Sequence, residues 1–126
     1  MTEERTHAAV ARYMKYQYPW AIFNTDLSGI RLTLGQARKI CGLRSSRAFP
    51  DVIIYEARQG FTALFIELKN EGIKIYRKDG EIVSDPHIRE QAEMLKHLEK
   101  RGYCARFAVG FDEAKTLIDW YLNKTK

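Results

Sequence analysis

Two apolar runs of strand length, Val52-Ile53-Ile54-Tyr55 and Ala63-Leu64-Phe65-Ile66, stand on either side of a polar stretch, Glu56-Ala57-Arg58-Gln59-Gly60. A polar link of that length suits a hairpin, so the segment predicts two adjacent antiparallel strands. Pro50 sits just ahead of the first, where its missing N–H breaks no ladder bond. Asp51 opens the first strand, and Glu67-Leu68-Lys69 closes the second. Side chains alternate across a strand, so Glu67 and Lys69 project from one face while Leu68 points to the other. The neighbouring strand can bring Asp51 beside them, gathering two acids and an amine around one point.

Two carboxylates held that close repel each other unless a cation lies between them, and oxygen ligands of this kind suit Mg²⁺ or Mn²⁺. An ion there polarises a phosphoryl oxygen, lowers the pKa of a coordinated water and neutralises charge as an ester bond breaks. Lys69 adds the remaining positive charge. It can stabilise the developing phosphorane, or it can help orient or deprotonate the water, and the residues do not choose between these roles. A plainer alternative is a solvated Glu67/Lys69 pair on an exposed strand, contributing little. Asp-to-Glu-x-Lys spacings arise by chance in charged proteins, but here the proline, the acids, the amine and both apolar runs agree on one arrangement.

The stretch Gly42-Leu43-Arg44-Ser45-Ser46-Arg47-Ala48-Phe49-Pro50-Asp51-Val52-Ile53-Ile54, followed by Leu64-Phe65-Ile66-Glu67-Leu68-Lys69, resembles the PD-(D/E)XK nuclease superfamily and, within it, the VRR-NUC (virus-type replication-repair nuclease) domain. His87 to Leu95 resembles that family's helix beginning near a glutamine, and Arg101 to Gly110 the strand after it, so the likeness runs through nearly the whole chain. The resemblance implies an α/β, restriction-endonuclease-like core: a central mixed β-sheet flanked by α-helices, in a single domain over residues 1–126. A hairpin around Asp79-Gly80, within residues 72–84, reads as an insertion. The implied activity is metal-dependent DNA endonuclease cleavage, selective for branched or junction DNA, by a protein that resembles Holliday-junction resolvases and often forms a homodimer. The implied setting is the cytoplasm of a bacterial or phage-infected cell.

Residue by residue, the resemblance makes Asp51 and Glu67 the principal ligands of Mg²⁺ or Mn²⁺, the Leu68 main-chain carbonyl a further ligand and Lys69 the catalytic lysine. Gln91 completes the motif from the neighbouring helix. The family also places an acid on its first helix, for which Glu4 is the better match, with Glu3 close behind. Acids in a first turn are also favoured by the helix dipole, so a purely structural role competes for whichever is not a ligand.

At 126 residues and 45% hydrophobic, the chain has the usual size of one domain with its own core. Cys41 and Cys104 lie far apart and show no zinc spacing, which suits free thiols in a reducing compartment. The charged start, Met1-Thr2-Glu3-Glu4-Arg5, leads into no apolar signal region, and the apolar runs are only strand-sized, which argues against secretion and membrane insertion. The net charge of +5 is compatible with a polyanionic partner. Its distribution says more: no acid occurs from Leu27 to Pro50, whereas Arg31, Arg38, Lys39, Arg44 and Arg47 all do. Basic side chains supply most sequence-independent DNA affinity, so Arg44 and Arg47, leading into Asp51, are candidate phosphate contacts, against the alternative of a merely solvated face. Lys74, Arg77 and Lys78, with Tyr76, form a second candidate patch; Tyr76 reads equally as a strand residue.

Around these motifs, Thr2 or Thr6 can cap a first helix through Val10, Tyr13, Met14 and Gln17 that Pro19 ends. Ala21 to Asn24 reads as a short strand, and Leu34 to Ile40 as a helix ended by Gly42. Ile88, Ala92, Leu95 and Leu98 mark one helical face, and Gln91 falls beside that stripe, needing either a backbone partner or the carboxylates. Arg106 to Val109 predicts a last strand, and Asp112 a cap for a final helix through Leu117, Ile118, Tyr121 and Leu122. His7, His87 and His97 show no ligand spacing and are discounted, His87 serving as a phosphate contact or a turn cap. No Gly-x-x-x-x-Gly-Lys-Ser/Thr run exists, which excludes a P-loop nucleotide site. A catalytically inactive nuclease-fold module that binds DNA or RNA through the same basic face is the rival to the endonuclease reading.

Overall fold

The computed structural model describes residues 2–26, 33–45 and 48–123. Helix α1 spans Glu3–Gln17, and the Thr2 side chain caps it by accepting from the Arg5 N–H at 3.1 Å. It stops before Pro19, whose ring cannot continue the ladder. Strand β1 is Phe23–Thr25, α2 is Leu34–Cys41, β2 is Val52–Ile54 and β3 is Leu64–Lys69. Helix α3, Pro86–Lys100, starts with proline at its first position, where no donor is lost. Its cap is Asp85, which takes the N–H groups of His87 and Ile88 at 2.8 and 3.2 Å. Strand β4, Cys104–Val109, runs directly into α4, Gly110–Asn123.

The four strands form one mixed sheet in the order β1-β2-β3-β4, with β3 and β4 parallel and the other neighbours antiparallel. The link between β2 and β3 closes tightly at Arg58-Gln59-Gly60-Phe61. Gln59 and Gly60 both take positive φ, 56° and 82°, and Arg58 and Phe61 exchange N–H to carbonyl bonds of 3.1 and 2.8 Å. Positive φ at both central residues is the twist that favours hairpins.

Alternation along β3 separates core from site. Leu64, Ile66 and Leu68 are fully buried with Val10 and Met14 of α1, Val52 and Ile54 of β2, and Ile118, Tyr121 and Leu122 of α4. Each such aliphatic side chain contributes about 1.5–3 kcal/mol through burial. Phe65, Glu67 and Lys69 face the other way, toward the side that α3 covers. Asp119 of α4 joins the first and last helices by accepting from the hydroxyls of Tyr13 and, at 2.7 Å, Tyr18. At the outer margin of β4, two carboxylates occupy outward N–H groups: Glu99 takes that of Ala105 at 2.5 Å and Glu113 that of Val109 at 2.9 Å.

Three local expectations shift. The first strand begins at Phe23 rather than Ala21, because the Ala21 N–H is used by the Tyr18 carbonyl in the turn after α1. The last helix begins at Gly110, so Asp112 lies in its first turn and caps nothing. Gly110 has φ 83°, and Glu71 Cγ lies 2.7 Å from where a Cβ would stand, so a side chain fits neither the backbone nor the space. The segment around Asp79-Gly80 does turn back on itself, but through a single bridge, Tyr76 to Ile82, closed by Arg77 N–H to the Glu81 carbonyl at 2.7 Å, with Tyr76 exposed. No described helix is long and apolar enough to cross a membrane.

Candidate active site

Where β2 and β3 part, Val52 pairs with Ile66 and the Asp51 N–H donates to the Ile66 carbonyl at 2.9 Å. Asp51 thereby lies beside Glu67. Its carboxylate is fixed by the Leu68 N–H, which donates to Oδ2 at 2.8 Å, while the Leu68 side chain stays in the core. Both acids are buried, Asp51 to 7% exposure and Glu67 to 3%. Burial pushes the Glu67 carboxyl far above its ordinary range, and the charge of Asp51 and a hydrogen bond with it push further; Lys69 pulls back and Glu3 adds to the rise. Burial and the neighbouring Asp51 charge thus favour the protonated form of the Glu67 carboxyl.

Lys69, at the end of β3 and half-buried, shares the Glu67 face. Gln91 reaches Glu67 from α3, its Nε2 donating to Oε2 at 3.0 Å, and is itself buried. Of the two partners open to Gln91 in the sequence, it takes the carboxylate and not the backbone. His87, one turn earlier, lies 3.2 Å away from the same amide nitrogen, while Asp85 takes the cap position.

The first helix contributes differently from expectation. Glu3, His7 and Asp51 each place a ligand atom within 4.8 Å of the other two, whereas Glu4 is exposed. Residues four apart stack on one helical face, so Glu3 and His7 continue the buried line of Val10 and Met14, and Glu4 is rotated toward solvent with Ala8. Of the two first-helix acids left open in the sequence, Glu3 lies beside Asp51 and Glu4 does not. His7, discounted in the sequence, is 2% exposed, and its Nε2 is 3.9 Å from Asp51 Oδ1. Its place on the Val10 and Met14 face was the signal for it: a histidine on a buried stripe needs a polar partner.

The basic candidates separate. Arg44 is ion-paired with Asp26 and lies 5.7 Å over the Phe49 ring, which makes it a brace between the segment before β2 and the end of β1. Arg47 and Arg31 lie outside the described residues. Lys74, Arg77 and Lys78 are exposed on the hairpin that follows β3, and Arg77 pairs with Asp79 at 3.0 Å. An exposed pair of that kind contributes little and leaves the guanidinium open to exchange. Cys104 is a buried free thiol, pushed up to about 11 chiefly by burial, and stands in the core away from the acids.

No family profile matches the chain, and no curated protein matches it. Among solved structures, a VRR_NUC domain protein matches with a TM-score of 0.69 at 23% identity, over 100% of this chain and 92% of the other. The mixed four-stranded sheet with its flanking helices is thus a fold that this chain shares, over its whole length, with a VRR_NUC domain protein.

Proposed function

We propose that the chain is a divalent-metal-dependent endonuclease that hydrolyses DNA phosphodiester bonds, with Asp51 and Glu67 as the principal ligands of Mg²⁺ or Mn²⁺. The observation that carries the reading is the pair of buried acids with Lys69 beside them, in a setting where burial and the charge of Asp51 raise the pKa of Glu67. Such a pair is costly to keep for structure alone, since two apolar residues would fill the same space without it. A bound divalent ion supplies Lewis acidity toward the scissile phosphate and a water acidified at neutral pH. The chain's own groups do the rest. Leu68 N–H aims Asp51, Gln91 holds Glu67 by one oxygen, and Lys69 faces the charge that develops on the phosphorus oxygens. The Leu68 carbonyl, at the end of the same strand, is a third ligand in this reading, and Glu3 supplies the acid of the first helix.

Lys74, Arg77 and Lys78 follow directly on β3, so in this reading the hairpin grips the DNA backbone next to the scissile bond. Selectivity for branched DNA and pairing of two copies, one site per strand, extend the same reading. Light scattering at working concentration tests the pairing, and a monomer removes it.

The test is a cleavage gel on branched, nicked, duplex and single-stranded DNA with Mg²⁺ or Mn²⁺ and with EDTA. Wild type should cut only with metal, and Asp51→Asn, Glu67→Gln and Lys69→Ala should each lower the rate by about 10²-fold or more while staying folded. Salt-sensitive binding with no metal-dependent product would instead identify an inactive binding module.

A further inference from the structure

His7 is left unexplained by the two-acid site. It is 2% exposed, and neither ring nitrogen finds a hydrogen-bond partner among the described residues. Buried imidazoles are ordinarily hydrogen-bonded, and leaving both nitrogens unmet is costly. The separation of 3.9 Å between its Nε2 and Asp51 Oδ1 is too long for a hydrogen bond. It does match two ligands of one ion: at bonds of about 2.1 Å, ligand atoms lie about 3 Å apart at a right angle and about 4.2 Å apart when opposite. Glu3, one helical turn earlier, completes a trio whose ligand atoms lie within 4.8 Å of one another. One ring nitrogen, a carboxylate from each of Glu3 and Asp51, and the common helix face of Glu3 and His7 converge on a single cation site.

We infer that His7 is a nitrogen ligand in a Glu3–His7–Asp51 metal site, and that it makes the protein select a first-row transition ion such as Mn²⁺ over Mg²⁺. The inference rests on reading Asp51 as a metal ligand and adds the helix side of the centre. Imidazole is a borderline-soft donor that gains more from Mn²⁺, Fe²⁺, Co²⁺ or Zn²⁺ than from Mg²⁺, which prefers oxygen and gives up its water reluctantly. Exchanging one oxygen ligand for nitrogen therefore tilts the balance between ions without changing the fold. Carboxylates on two sides keep the site hard enough to accept Mn²⁺ and anionic enough to draw any divalent ion.

The experiment needs no DNA. Mn²⁺ is added to the metal-free full chain, and pulsed electron paramagnetic resonance reads whether a ¹⁴N nucleus couples to the bound ion. Competition with Mg²⁺ gives the affinity ratio. Expected are a directly coordinated nitrogen in wild type and in His87→Gln, no such coupling in His7→Gln, and about a tenfold fall in the Mn²⁺ to Mg²⁺ ratio in that variant. Should His7→Gln not fold, coupling in wild type and in His87→Gln still decides. Bound Mn²⁺ with oxygen ligands only, or coupling that disappears in His87→Gln, overturns the role of His7 and leaves the Asp51 and Glu67 reading standing. Wild type that binds no Mn²⁺ overturns both.

Discussion

Glu67 shows how one residue can hold a site in tension. Its carboxyl is buried against Asp51, and a folded-state value raised above the unfolded one means the folded chain binds the proton more tightly. Stability from that proton is fully present below the unfolded value of 4.5 and drains away as pH rises from there toward the raised folded value. In EDTA the protein should therefore melt at higher temperature at pH 5 than at pH 8. Glu67→Gln keeps an acceptor for Gln91 and a donor for Asp51 without the ionisable proton. It should stabilise the metal-free fold at neutral pH by about 1–3 kcal/mol and flatten the pH dependence, as measured by thermal or urea unfolding. A variant less stable than wild type at pH 7 would refute this account. At this scale the sequence was legible where period-two alternation decides, which is why Asp51, Glu67 and Lys69 could be read as neighbours. Glu3 and Glu4 could not be told apart in the sequence because adjacent helical residues differ by about 100° in direction, which chain spacing conceals. His7 and Arg44 stand beside acids distant in sequence, Asp51 and Asp26, and no count of charges reveals such neighbours.

Helix α1 carries Glu3 and His7, so its seating sets the geometry they present. That seating rests on Val10 and Met14 in the core and on Asp119 of α4. Burial alone would raise the Asp119 carboxyl, but hydrogen bonds from Tyr13 and Tyr18 and the Lys115 ammonium outweigh it and hold it below the ordinary value. A lowered value gives stability that is present above the unfolded value of 3.8 and is lost as pH falls through the folded one. Asp119→Ala should cost about 1–3 kcal/mol in urea unfolding at pH 7, and the cost should vanish in strong acid. An unchanged midpoint would show that the hydroxyls find water at no loss. Elements themselves were mostly readable from capping and breaking residues: Thr2, Pro19 and Gly42 sit where the helices they bound begin or end. The start of α4 was not, because Gly110, at φ 83°, joins strand to helix without a loop.

For the molecule as a whole, a mixed sheet around the acids followed from the sequence through the hairpin and the family likeness, while the order of strands and the helix on each face came from long-range packing that no local pattern encodes. The sheet ends at β4, and there the side chains of Glu99 and Glu113 sit on the main-chain donors of Ala105 and Val109. An unguarded strand margin recruits other strands. This one is already answered from within its own chain, so a second molecule approaching there meets negative charge and no vacant donor at those two residues. Doubling Glu99→Ala with Glu113→Ala should raise the tendency to self-associate, visible as light-scattering growth at concentrations where wild type stays unchanged. It follows that at β4 a second copy is steered away from lengthening this sheet.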